Sequence, residues 1–88
     1  MNVEFSKLFI KQVQKLKNKQ LKEDIAQCII QVENAENIQK IKNIKKLTGH
    51  DIYYRIRVGD YRIGVKIQKN IVEFAIFEHR KDIYKNFP

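Results

Sequence analysis

Two tight turns divide the last third of the chain into three strand-length runs, and this constrains the fold more than any other feature. Gly59-Asp60 separates Ile52–Val58 from Tyr61–Gln68, and Lys69-Asn70 separates the latter from a run that starts at Ile71 and ends at Phe77 or His79. A two-residue connection with glycine first suits a type II′ hairpin, because glycine alone takes a positive φ there without steric cost. Lys69-Asn70 is a less distinctive turn. Closing both hairpins on these dipeptides sets a register. Ile56 falls opposite Ile63 and Tyr54 opposite Val65. In the second hairpin Ile63 falls opposite Ile76, Val65 opposite Phe74 and Ile67 opposite Val72. Side chains alternate faces along a strand. One face therefore carries Tyr54, Ile56, Ile63, Val65, Ile67, Val72, Phe74 and Ile76, and must be covered by something apolar.

The first half of the chain supplies the cover. Met1–Phe5 alternates as a short strand. Ser6 can cap a helix in which Phe9, Val13 and Leu16 recur at helical spacing, with Ile10 beside them. The residues around Asn18 break it. Leu21, Ile25, Cys28, Ile29 and Val32 then form a single apolar stripe of a second helix. Ile38, Ile41, Ile44 and Leu47 follow every third residue, read as a helical turn or two running into a loop. The lysines between them, Lys40, Lys42, Lys45 and Lys46, form either a snorkelling basic face or a phosphate-steering one. Thr48-Gly49-His50-Asp51 is a turn, and Lys81–Phe87 a short terminal helix or irregular tail. The expected fold is α+β: one domain over residues 1–88, with a mainly antiparallel four-stranded sheet. The N-terminal strand joins a C-terminal three-stranded meander, and two helices pack on one face.

Eighty-eight residues hold one compact core and a surface site, not a deep cofactor cavity, so no cofactor is expected. The start shows no basic segment leading into an apolar one, and no apolar run approaches the ~20 residues that span a bilayer. A cytoplasmic protein with no membrane partner is expected. Cys28, alone, excludes a disulfide framework and a cysteine-based zinc site, and its place on the apolar stripe makes it a buried structural residue. His50 reads as a solvated or backbone-bonded loop residue. Two histidines without a carboxylate cluster make no metal site, and there is no glycine-rich phosphate loop or serine-hydrolase elbow.

The charge points to a partner. Eighteen Lys and Arg against ten Asp and Glu give a net charge of +8, which reads either as a chain that meets a polyanion or as a well-solvated basic surface. The hairpin register concentrates part of it on the face away from the apolar one. Arg57 lies opposite Arg62, and Arg55 lies opposite Gly64, which leaves open space beside it. Lys66 lies opposite Glu73. His79 shares the parity of Ala75 and Phe77 and so points to the same face. Like charges directly opposite destabilise a sheet. Either an anion between Arg57 and Arg62 removes the conflict, or the two splay into water or pair with Glu78 or Asp82. Arginine is the side chain best shaped for bidentate phosphate contact. Tyr84, four residues after Arg80, can lie near it on a helical turn and offers a ring for a nucleobase. Such a cluster suits metal-free cleavage of RNA, in which a 2′-hydroxyl attacks the adjacent phosphate. Arginines stabilise the developing charge, and His79 is the candidate for proton transfer.

The residues Leu47-Thr48-Gly49, Tyr54-Arg55-Ile56-Arg57-Val58-Gly59-Asp60-Tyr61-Arg62-Ile63 and His79-Arg80-Lys81-Asp82-Ile83-Tyr84 resemble the motifs of the RelE/ParE toxin superfamily, and the last stretch, His79 to Tyr84, is similar to RelE-like rather than ParE-like members. The resemblance covers nearly the whole chain. It implies a toxin of a type II toxin–antitoxin pair that cleaves mRNA in the ribosomal A site without a metal, leaving a 2′,3′-cyclic phosphate. It also implies a cognate antitoxin that wraps the toxin and, in complex with it, contacts operator DNA. By position, Arg55 and Arg57 match the family's paired basic residues, Arg62 its transition-state arginine, Arg80 its C-terminal catalytic arginine and Tyr84 its stacking tyrosine. Lys45, Lys46 and Lys66 are further candidates for RNA or phosphate contact. At the position of Arg57 such enzymes can carry a lysine base, and arginine is a poor base. Either His79 takes that role or catalysis rests on charge stabilisation alone. The alternatives are a ParE-like inhibitor that binds DNA gyrase without catalysis, and a degenerate relative that only binds its antitoxin.

Overall fold

The computed structural model describes all 88 residues. Strand β1 (Asn2–Phe5) leads into helices α1 (Lys7–Gln14) and α2 (Lys19–Asn34). A 3₁₀ turn (Ile38–Lys40) precedes β2 (Ile44–Lys46). The meander β3 (Tyr53–Val58), β4 (Tyr61–Gln68) and β5 (Ile71–His79) ends in the short helix α3 (Ile83–Asn86). The sheet has five strands in the order β1-β5-β4-β3-β2. It is thus mixed rather than four-stranded: β1 runs parallel to β5, and β2 adds an edge strand antiparallel to β3. The threefold apolar spacing from Ile38 to Leu47 is helical only as far as Lys40. Asn43, at a φ of 61°, turns the chain out of it, and asparagine tolerates that left-handed conformation better than most residues.

Both helices start where a side chain can accept an orphan N–H. Ser6 Oγ accepts from the Phe9 amide at 3.0 Å and Asn18 Oδ1 from the Leu21 amide at 3.1 Å. They bury Phe9, Ile25 and Val32 against the sheet, where Ile56, Ile63, Val65, Val72, Phe74 and Phe77 complete the main core. Phe5, Phe9 and Phe74 form an aromatic trio with centroids 5.5–6.0 Å apart. β1 covers β5 only as far as Phe74. Beyond it, α1 and its cap satisfy the exposed edge: the Ser6 hydroxyl donates to the Ala75 carbonyl at 2.6 Å, and the Phe77 amide donates to Gln12 Oε1 at 2.7 Å.

The first hairpin has the expected register throughout, including Arg57 opposite Arg62, and Gly59 takes a φ of 59° in the turn. The second keeps it only up to Val65 opposite Phe74. A bulge follows: Gly64 pairs with Ile76 and Ile63 with Phe77, leaving Ala75 as the extra residue. The expected pairing of Ile63 with Ile76 is corrected, and every side chain beyond the bulge changes face. Phe77 joins the main core, and Ile76 joins a second, smaller one on the opposite face, formed with Leu47, Ile83 and Phe87. His79 changes face with Phe77. It pairs with Tyr61, a ring packed on the main core, and its imidazole stands edge-on to Tyr61 at 5.3 Å.

Candidate phosphate-binding cleft

On the face away from the long helices, the sheet and α3 enclose a cleft of about 330 Å³ lined by Asn43, Lys45, Arg55, Arg57, Arg62 and Tyr84. The pleat aims Arg55 and Arg57 from β3 and Arg62 from β4 to this side. Lys45 joins them because β2 places it opposite Arg55. Tyr84 comes from α3, held down by Ile83 and Phe87, which are buried on either side of it in sequence. The seat for Phe87 is Gly64. A Cβ there would lie 2.7 Å from the Phe87 ring and 2.8 Å from the Ile76 side chain. The open space expected beside Arg55 is therefore filled by that ring. Tyr84 remains 73% exposed, with the Arg55 guanidinium 4.5 Å from its ring centroid.

No carboxylate neutralises the cluster. The protein's one ion pair is Lys66–Glu73, at 3.6 Å. Arg62 donates instead to the Gly59 and Tyr61 carbonyls at 3.0 and 2.8 Å, and Arg57 makes a long contact of 3.4 Å with Asn43 Oδ1. Glu78 faces Arg62 across the strands, but its carboxylate accepts from Asn86 Nδ2 at 3.1 Å. Three guanidinium groups and one ammonium thus surround a cleft with no anion of its own, and guanidinium hydrogen bonds to neutral carbonyls leave donors over for a ligand.

Other candidates fall outside the cleft. His79 is on the opposite face, where its Nδ1 accepts from the Lys81 amide at 3.2 Å. Lys66 points to the cationic face but is held by Glu73, with its Nζ 6.0 Å from the Tyr53 ring centroid. Lys46 has the parity of Ile44, the residue of β2 that packs on the main core, and does not line the cleft. Arg80 is exposed in the turn after β5. Its amide donates to the Asp60 carbonyl at 2.9 Å, which sets it beside the hairpin that carries Arg62. Asn43 is the lining residue that sequence reasoning missed. Its signal is an asparagine directly before a strand, a residue type that suits a left-handed turn. Cys28 packs against the core, and burial pushes its thiol up to about 11, which makes it a poor nucleophile.

Comparisons with known proteins place the chain and its fold. Residues 3–84 match a family model described as the ParE toxin of the type II toxin–antitoxin system parDE. The chain is 37% identical over 89 residues to Toxin RelE3 of Methanocaldococcus jannaschii, covering the full length of both. Its fold is similar to the RelB–RelE antitoxin–toxin complex from Methanococcus jannaschii, with a TM-score of 0.78, 35% identity and coverage of 97% of this chain and 99% of that one. The archaeal RelE–RelB complex from Pyrococcus horikoshii OT3 shares the fold with a TM-score of 0.73 at 22% identity, over 90% of this chain and 93% of that one.

Proposed function

The chain belongs to the ParE toxin family of type II toxin–antitoxin systems within the RelE/ParE superfamily, and from that premise we propose that it is a ribosome-dependent, metal-independent mRNA endonuclease. The observation that carries this reading is the uncompensated cluster of Arg55, Arg57, Arg62 and Lys45 beside the exposed ring of Tyr84. A sheet shaped for stability alone would not set Arg57 against Arg62 without a counter-ion.

A scissile phosphate in the cleft receives Arg57 and Arg62 on its non-bridging oxygens, with Arg55 and Lys45 on the flanking backbone. The 2′-hydroxyl of the preceding nucleotide attacks phosphorus, the bond to the 5′-oxygen breaks, and the products are a 2′,3′-cyclic phosphate and a 5′-hydroxyl. The cations stabilise the charge that builds on the phosphoryl oxygens. Tyr84 stacks on an adjacent base through its free face, the other being under Arg55. Arg80, at the hairpin end of the cleft, extends the positive field towards the message or ribosomal RNA. DNA has no 2′-hydroxyl and can bind here without being cut.

In the resting cell, on this reading, a cognate antitoxin covers the toxin, and operator DNA is contacted only through that complex. The similar RelB–RelE complexes support this, and so do Leu8 and Ile10 on α1 and Ile30 on α2, each exposed by more than 40%. The protein is expected in the cytoplasm, where its message and ribosomes are. One observation favours a second reading: the family model that matches carries the ParE name, and a ParE-like toxin would hold DNA gyrase without catalysis. Induction separates the two. The endonuclease stops protein synthesis before DNA synthesis and leaves messages with 2′,3′-cyclic phosphate ends, in the presence of chelator as in its absence. Intact messages with early arrest of replication would support the gyrase reading instead.

A further inference from the structure

The cleft is lined by four cations, Asn43 and Tyr84, with no imidazole or carboxylate among them, and His79 lies across the sheet. The other histidine does not. Behind the Arg55–Tyr84 stack is a second hollow of about 250 Å³ lined by His50, Leu47, Arg55, Tyr84 and Phe87, among others. Arg55 and Tyr84 therefore form the wall shared by hollow and cleft. The His50 ring is held in place: it stands edge-on to Tyr53 at 5.4 Å, and Tyr53 stands edge-on to Phe87 at 5.4 Å. Phe87 in turn rests on Gly64. The His50 backbone is fixed too, its amide donating to the Leu47 carbonyl at 3.2 Å.

We propose that His50 is the proton-transfer residue of the RNA-cleaving site, with the nucleotide 5′ to the scissile phosphate seated in the hollow between its imidazole and the Arg55–Tyr84 stack. This rests on the endonuclease reading. The imidazole takes the proton of the 2′-hydroxyl as that oxygen bonds to phosphorus. The bond to the 5′-oxygen breaks, the departing oxygen takes a proton from water, and the imidazolium gives its proton to the hydroxide so formed. The polar groups around His50 are Tyr53 and Arg55 from β3, Tyr84 from α3, and Thr48 and Asp51 beside it in the turn, with Pro88 also on the wall of the hollow. Of all these, imidazole is the side chain type that ordinarily exchanges its proton between pH 5 and 8. Lys45 is the rival, as the one amine that lines the cleft.

The test is single-turnover cleavage of a message on programmed ribosomes by the full-length toxin across pH 5–9. His50→Gln should lower the rate by about 10²–10⁴-fold and abolish the rise of rate with pH near neutrality. Its melting temperature should stay close to that of the wild type, and its affinity for ribosomes programmed with a message carrying a 2′-deoxynucleotide at the cleavage point should fall by less than tenfold, far less than the rate. His79→Gln should cleave as the wild type does. Lys45→Gln should be slower but keep the pH rise. A His50→Gln protein with wild-type rate and pH profile, or a pH rise lost in Lys45→Gln instead, overturns the proposal and leaves the endonuclease reading standing. A wild-type protein that leaves the message intact overturns both.

Discussion

The two faces of the sheet are built from the same strands and obey opposite rules. Towards the long helices, thirteen buried residues form one apolar core, and no polar or charged side chain is buried there or anywhere else in the protein. Towards α3, a four-residue apolar cluster sits beside Arg55, Arg57 and Arg62, which make no ion pair, while Lys66 pairs with Glu73 further along the same face. Alternation along β3 and β4 sets core residues directly beside cleft residues: Ile56 lies between Arg55 and Arg57, and Ile63 follows Arg62. The difference teaches that the stabilising apolar side chains and the uncompensated charges are separated by side-chain parity rather than by domain. The helix face can hold the sheet rigid while the other face tolerates like charges side by side.

The largest expected effect is on the helix face. Phe74→Ala removes the centre of the aromatic trio at a fully buried position and should destabilise by about 3–5 kcal/mol in denaturant unfolding. A loss near that of an exposed-site mutation would mean the core is not where the packing puts it. On the same side, Cys28 gives a pH test. Its thiol rises from 9.0 to about 11 by burial, so the folded state holds the proton more tightly than the unfolded one. The resulting stability is whole below pH 9 and is lost as pH climbs towards 11, at most about 2–3 kcal/mol. Wild type should therefore lose stability across that window faster than Cys28→Ala. Parallel pH curves would remove the desolvated thiol.

On the other face, Gly64→Ala forces a methyl into the Phe87 ring and should cost about 1–3 kcal/mol. Because Phe87 holds α3, toxicity should fall with it. A fully toxic variant would show that Tyr84 is placed without that seat. The smallest stability effect carries the sharpest contrast. Arg57→Ala relieves the pairing with Arg62 and should leave the melting temperature unchanged or raise it, by the ~0.2–1 kcal/mol of a cross-strand pair, while growth inhibition is lost. A clear drop in stability would make Arg57 structural and blur the division between faces.

Much of this was legible in the chain. The first hairpin follows from Gly59-Asp60 and strict alternation, and it alone sets Arg55, Arg57 and Arg62 on one face. The second hairpin escaped because Phe74-Ala75-Ile76-Phe77 is apolar throughout, so the pattern does not show which residue is the extra one. A bulge there reverses His79, and no local preference reports it. The short β2 escaped because its Ile44 continues a threefold spacing, and Lys45 was a candidate for its charge rather than for its place opposite Arg55. His50 read as an ordinary turn residue, since its neighbours Tyr53, Tyr84 and Phe87 are assembled by packing between distant segments.

The central claim is that the arginine face cuts RNA by attack of its own 2′-hydroxyl. The most direct measurement is cleavage of a ribosome-bound message by the wild-type toxin and Arg62→Ala, with and without one 2′-deoxynucleotide 5′ to the cut. The account predicts that the wild type cuts the all-ribose message to a 2′,3′-cyclic phosphate and spares the substituted one. Arg62→Ala, folded as judged by its melt, should cut neither. Cleavage that persists through the deoxynucleotide, or an Arg62→Ala protein that cuts at the wild-type rate, would contradict it.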